Sequence, residues 1–309
     1  MFRYIIKRLL YMIPMLFMVI LLVFLIMSFT PGDPASANLP LTTPASVKEA
    51  YNESVGYSES LGTRFATFLG GLVRGNVPSY STEKNFFDDL AQRIPLTMRL
   101  GFISFAIAAL LGVALGIFQA VRQYSFLDTT LTVFSVLFAS IPSFFVAILM
   151  LLYFSVNKGI LPSFGMNDGI RSYIMPVATI VLGSVPILSR MTRSAMLGVL
   201  QQDYIRTARS KGVPEKTVIW KHALKNASFP IITLLLSGFA GILGGSVIVE
   251  SIFSLPGVGM YMLDAIHQKN VPGVMICALF LSFIFMLAMV LMDICFAAID
   301  PKVRTRYQA

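Results

Sequence analysis

A chain of 309 residues that is 56% hydrophobic and 13% charged, with a mean hydropathy of +0.77, is too apolar to fold as a water-soluble domain around one core. Its net charge of +9 does not make it a nucleic-acid binder, because no soluble domain or aromatic stacking platform accompanies the basic residues. Its two cysteines, Cys277 and Cys295, share the last apolar run, so they imply no disulfide framework and read as small buried hydrophobes.

Apolar runs near the length a bilayer demands predict an all-α integral membrane protein with six spans, near residues 9–30, 100–121, 131–156, 174–189, 231–249 and 274–298. Arg3, Lys7 and Arg8 precede the first run, which is too long for a signal-peptide core and lacks a clear cleavage site, so it is expected to stay as a span. Residues 31–97 form a long first loop that opens on PGDPA and carries Asp33, Glu49, Glu53, Glu59, Glu83, Asp88 and Asp89. Leu61, Phe65, Phe68, Leu69 and Leu72 fall at helical spacing within it. Phe86, Leu90 and Ile94 do the same, with Asn85 placed as an N-cap. The loop is either a platform for an extracytoplasmic partner or a solvated cap over the bundle.

The second span opens on RIPLTMRLG, with Arg93, Pro95 and Thr97. Gly112 with Gly116, and Gly241 with Gly245 in the fifth span, are small residues four apart, a spacing that lets membrane helices approach closely. Pro142 and Pro186 sit within helical patterns and favour kinks. The fourth span is short and is expected to continue as helix past Arg190.

Residues 203–230 make a charged island in the loop (190–229) between spans four and five. Arg206, Arg209, Lys211, Lys216, Lys221 and Lys225 stand there against Asp203 and Glu215. Asp203 suits an N-cap and Gly212 a left-handed stop, which predicts a helix over 204–211. Pro214 suits the first position of a second helix running towards Pro230, with Ile219, Ala223, Leu224 and Ala227 on one side. Two short amphipathic helices hinged at a glycine suit docking; the bland alternative is a basic connector lying on anionic lipid.

After the fifth span comes VESIFSLPGVG, residues 249–259. Glu250 there either touches a substrate amine or caps the turn that Pro256 and Gly257 impose. Asp293, inside the sixth span, is expected to pair with a basic residue at its near end. Most of the 24 lysines and arginines lie in the N-terminus, the Arg122 turn, the 190–225 segment and the C-terminal tail, which places both termini and the charged island in the cytoplasm. No phosphate-binding loop, H-E-x-x-H, G-x-S-x-G or cysteine metal motif occurs, and His222 and His267 fall on opposite sides. The chain is therefore expected to hold no catalytic, cofactor or metal site of its own.

The run ARSKG followed by HALKNASFP resembles the cytoplasmic "EAA" loop of permease subunits of type I ABC importers. More narrowly it is similar to the peptide/nickel branch, the oligopeptide- and dipeptide-permease B subunits. Arg206, Thr207 and Ala208 hold the places of Glu-Ala-Ala ahead of Gly212, and the distance from Gly212 to Pro230 is longer than in sugar permeases. Both departures are those of the peptide branch. PGDP, the Arg93-x-Pro95-x-Thr97 opening, FSLPGVG (with Glu250, Phe253, Pro256, Gly257 and Gly259) and the closing Asp300-Pro301-Lys302 are similar to the same branch, and PGDP fits a B-type better than a C-type subunit.

The resemblance implies a six-helix type I importer permease fold in a bacterial or archaeal cytoplasmic membrane. It implies a C-type permease partner in a heterodimer, two cytoplasmic ATPase subunits that bind ATP and Mg, and an extracytoplasmic substrate-binding protein. Asp203, Tyr204, Arg206, Thr207, Ala208, Arg209, Lys211, Gly212 and His222 would dock the ATPases. Glu250, Phe253, Pro256 and Gly257 would belong to the outer gate or translocation path. The cargo implied is a peptide, with glutathione, or nickel and metallophore complexes, as the alternative. An ATP-independent secondary transporter is the more remote reading.

Overall fold

The computed structural model describes the backbone of residues 2–77 and 85–299 and the side chains of 6–77 and 85–294. Glu83 of the long loop and Asp300, Pro301 and Lys302 of the tail lie outside the described residues. Helix α1, Phe2–Phe29, packs along α13, Val271–Ile299, at one flank of the bundle. The centre is α5, Phe86–Val121, laid against α8, Arg171–Leu200, and against α11, Leu224–Ile252. Among the described residues, five helices are long and apolar enough to cross a membrane. A sixth crossing exists if the bent pair over 126–157 is counted as one.

That bent pair corrects the expected third span. The sequence pattern over 131–156 predicts one kinked helix; instead α6, Phe126–Ser140, ends and α7, Ser143–Met150, starts again at 93° to it. The cause is local. Proline disfavours helical backbone at the residue before it, and Ile141 accordingly turns extended (φ −86, ψ 123) ahead of Pro142. α7 then runs on into a wide π-type turn over Leu151–Asn157. Pro186, by contrast, stays buried inside α8, which is continuous through it.

Two further boundaries move. α5 begins at Phe86, so its 36 residues span roughly 54 Å, well beyond the ~30 Å of a hydrocarbon core. The last turns assigned to the long loop are thus the head of the second span, with Phe86, Leu90 and Thr97 buried. The Asn85 side chain accepts from the Phe87 N–H, as its place in the sequence predicts. The loop ahead of it holds α2, Pro34–Asn38, α3, Ala45–Ser54, and α4, Leu61–Arg74. α4 buries Phe68 and sets Phe65 against Phe24 of α1 at 5.0 Å. At the far end, the helix starting after Pro214 does not stop at Pro230. α10, Glu215–Thr217, a π-type turn over Val218–Ala223, and α11 run on without a break to Ile252.

The glycine pairs divide. A Cβ on Gly112 would lie 2.6 Å from Leu188 Cβ, and one on Gly116 would lie 2.5 Å from the Ser189 carbonyl oxygen, so α5 and α8 touch through their backbones as the spacing predicts. Gly241 and Gly245 have nothing within 4 Å. They do not pack; they border open space. Gly116→Val is therefore expected to force the α5–α8 contact apart and destabilise by about 1–3 kcal/mol, the usual overpacking cost. Gly245→Ala is expected to be neutral within about 0.5 kcal/mol. Thermal melts of the purified variants in detergent check the pair, and equal losses would overturn the assignment.

Candidate coupling loop, outer turn and groove

The charged island folds as a helix stapled to the bundle. α9, Asp203–Ser210, is preceded by Gln202 in extended backbone, so Asp203 occupies the first helical turn and not the N-cap itself. Its end closes as a Schellman turn. Gly212 adopts φ +76, its N–H reaches the Arg209 carbonyl at 2.9 Å, and the Val213 N–H reaches the Ala208 carbonyl at 3.2 Å. Arg209 then crosses the turn to Glu215 through two hydrogen bonds, of 3.1 and 2.6 Å, tying α9 to the start of α10. Ile205 and Ala208 are buried in a cluster with Met196, Val218, Ala223 and Ala227.

Nine residues carry the docking expectation, and the structure sorts them. Asp203, Tyr204, Arg206, Thr207, Lys211 and Gly212 are exposed together at the end of the bundle. Arg209 is exposed but engaged by Glu215. Ala208 faces inward, so it packs α9 onto the bundle and offers no contact surface. His222 is half-buried on the π-type turn, where its carbonyl accepts from the Asn226 side chain at 2.7 Å.

At the opposite end, residues 253–257 turn the chain from α11 into α12, Val258–His267. The first N–H groups of a helix have no partners within it. Here they are met by side chains from two other helices. The Thr97 hydroxyl accepts from the Val258 N–H at 2.9 Å and donates to Glu250 Oε1 at 2.8 Å. Glu250 Oε2 accepts from the N–H groups of Gly259 at 2.7 Å and Met260 at 3.2 Å. Glu250 is fully buried, as are Phe253 and Gly257, while Pro256 is exposed. Of the two roles open to Glu250, this geometry is that of the cap. A Cβ on Gly257 would collide with the Glu250 carboxylate and Thr97, so only glycine fits there.

The Arg93-x-Pro95-x-Thr97 pattern gains a physical meaning from the same contacts. Residues 93 and 97 are one helical turn apart and share a face. Thr97 caps α12, and Arg93 stacks its guanidinium 4.2 Å from the centre of the Tyr261 ring. The Tyr261 hydroxyl donates to Asp89 at 3.1 Å; burial first, and then that carboxylate, push it well above its ordinary titration range, so it remains a donor.

Between α7, α8 and α11 lies a cavity of about 530 Å³. Ser143, Gly183, Ser184, Ser237, Gly241 and Gly245 contribute to its wall, together with aliphatic side chains, and no charged residue lines it. None of Glu250, Phe253, Pro256 or Gly257 borders it. Asp293, as expected, meets a basic residue: Arg8 Nε of α1 lies 2.7 Å from Asp293 Oδ2, an ion contact without hydrogen-bond alignment. Sequence reasoning missed one pair entirely, Asp128 of α6 with Arg193 of α8. The Ser125-x-x-Asp128 cap was visible as a pattern, but nothing in the chain marks Arg193 as its partner.

Two family patterns match the chain. Residues 112–305 match "Binding-protein-dependent transport system inner membrane component", and residues 1–101 match the N-terminal region described for such membrane components. The chain is 35% identical to the Glutathione transport system permease protein GsiC of Pectobacterium atrosepticum, over 98% of this chain and 99% of that protein. It is 36% identical to a Putative peptide transport system permease protein of Brucella abortus, over 97% and 98% respectively. Among solved structures, the inward-facing MetNI methionine ABC transporter shares the fold at a TM-score of 0.57 and 18% identity. That match covers 68% of this chain and 96% of the other.

Thr97→Val removes the acceptor for the Val258 N–H and the donor to Glu250 at once. Leaving such groups buried and unpaired costs about 1–3 kcal/mol each, whereas Thr97→Ser keeps both bonds and is expected to cost less than about 1 kcal/mol. Melting temperatures of the two variants check this, and equal melting would refute the cap.

Proposed function

We propose, for a chain that belongs to the family of binding-protein-dependent transport system inner membrane components, that it carries peptides across a cytoplasmic membrane and takes its drive from ATPases docked on α9. It is a permease subunit of an ABC importer of the peptide/nickel type, which sets aside the ATP-independent reading. The family implies a partner permease, ATPase subunits and a substrate-binding protein; a C-type partner, two ATPases that bind ATP and Mg, and an extracytoplasmic binding protein are the finer reading. The basic residues around α9 support an orientation with that end and both termini in the cytoplasm and residues 31–97 outside.

The observation that carries the coupling role is the exposed face of Tyr204, Arg206, Thr207 and Lys211 on a short helix anchored by Ile205 and Ala208. A load on that face reaches α8 and α11 through the apolar cluster that Ile205 and Ala208 share with them, and these two helices flank the cavity. The peptide cargo draws support from the cavity wall. Glycines, serines and aliphatic side chains without charge offer room but few convergent polar groups, which suits cargo selected elsewhere and passed without tight binding. Glutathione, the substrate named for the GsiC relatives, is itself a peptide and falls within this reading. Buried Glu250, Phe253 and Gly257 set the frame of the outer gate by holding α12.

Gly212→Val tests the coupling role. A Cβ there meets no neighbouring atom within 4 Å, so the only penalty is that of positive φ, about 1–3 kcal/mol for a β-branched residue. The expected outcome is an inserted, abundant protein that co-purifies poorly with its ATPases or hydrolyses ATP without transport, while Arg122→Ala behaves as the parent. Normal assembly and normal coupling would reduce the loop to a lipid-facing connector. Loss of nickel uptake on gene deletion, with labelled di- and oligopeptide uptake intact, would replace the peptide cargo.

A further inference from the structure

α6 is a 15-residue helix with one buried side chain, and that side chain is an aspartate. Its apolar residues face outward: Val133, Phe134 and Leu137 are each more than half exposed. Hydrophobic packing within this chain therefore does little to fix where α6 stands. Asp128 does. Its Oδ1 accepts from Arg193 Nε at 2.7 Å and its Oδ2 from Arg193 Nη2 at 2.7 Å, a two-pronged pair of fixed orientation. The Tyr124 N–H donates to Oδ2 at 3.0 Å, and the Ser125 hydroxyl caps the Asp128 N–H at 3.2 Å, so the carboxylate is locked to its own helix start as well. An unpaired carboxylate at 2% exposure is strongly disfavoured, which makes the contact one that stays made when its surroundings move.

The position of the pair gives this rigidity a use. Arg193 lies on α8, about 10 Å of helix before its end at Leu200, from which two residues lead to α9, and about 14 Å from the cavity residue Ser184 in the other direction. α6 leads from Asp128 to the 93° break at Pro142, and Ser143 immediately beyond it lines the cavity. Among the described residues, two contacts between polar side chains join α6 to α8: this pair, and a 3.4 Å hydroxyl contact between Ser135 and Ser189.

We propose that Asp128 and Arg193 are positioning residues that make α6 and the α7 wall of the cavity move as one body with α8, so that displacement of α9 reaches both sides of the cavity. This rests on the coupling role assigned to α9 above. The pair touches neither cargo nor ATP. It decides whether motion at α9 arrives at Ser143.

The test uses the whole transporter in proteoliposomes, with its partner permease, ATPases and binding protein. Ser143→Cys in a Cys277→Ala/Cys295→Ala background reports exposure of the cavity wall to a small aqueous thiol reagent, with and without ATP. This readout needs no cargo. In the parent, ATP changes the labelling rate at least about five-fold, a typical coupling. In Asp128→Asn and in Arg193→Gln that change is expected to fall below about two-fold, while ATPase co-purification and ATP hydrolysis stay within about two-fold of the parent. The double variant should be no worse than either single one, as for two residues acting through one contact. Arg193→Lys, which keeps the charge but not the fork, should recover part of the response.

Retention of the full ATP-driven change in both single variants would overturn the proposal. So would a loss that comes only with loss of the assembled complex, since the pair would then be a stability element and nothing more. A parent that shows no ATP response would instead overturn the coupling role of α9.

Discussion

Among the described residues, the α12 end of the molecule hangs on one carboxylate. A helix that starts inside a packed membrane protein exposes N–H groups where no water competes to satisfy them, and such groups are costly to leave bare. α12 starts this way, and Glu250 with Thr97 supplies what its first turn lacks. The remaining geometry follows. Gly257 and Gly259 must lack side chains to let the carboxylate in, Phe253 and Leu255 fill the space under the turn, and Arg93 fixes the next turn of α12 through Tyr261. Three helices, α5, α11 and α12, are thus joined by one hydrogen-bonded knot.

The opposite end is built on different physics. There the anchors are apolar: Ile205 and Ala208 sink into a cluster with α5, α8, the π-type turn over Val218–Ala223 and α11, and the charged groups of α9 point outward. An apolar anchor permits small sliding, whereas a hydrogen-bonded knot does not. The bundle is therefore stiff where α12 is capped and more adaptable where α9 sits, with the Asp128–Arg193 and Arg209–Glu215 pairs as polar ties on that side.

Much of this was legible in the chain because it depends on local rules. Apolar run length gave the spans, Asn85 gave the start of α5, and the Gly212 stop was plain from the residues around it. The spacing of Gly112 and Gly116 announced a close contact, but the same spacing at Gly241 and Gly245 borders a cavity. Periodicity says which residues share a face and not what lies opposite. The break at Pro142 looked like a kink because sequence shows that proline disturbs a helix without showing how far the next segment swings. Pro230 misled in the other direction, since a long membrane helix tolerates proline when its neighbours hold it in line. Glu250 could be assigned two roles from sequence, because its partners Thr97 and Met260 come from different parts of the fold; Ala208 was grouped with the docking residues for the same reason.

The uninterrupted helical path from Glu215 to Ile252 has a mechanical corollary. Its 38 residues make a rod of roughly 57 Å that begins beside Gly212 and ends two residues past Glu250. With its far end gripped by the knot around α12, the rod is a lever whose fulcrum is the capped turn. A tilt of about 5° there sweeps the near end through ~5 Å, close to one helical turn. The π-type turn at Val218–Ala223 lies within the first nine residues of the rod, near the end that swings. A shallow rocking at the α12 end and a broad stroke at the α9 end are then the same motion, seen from the two ends of one helix.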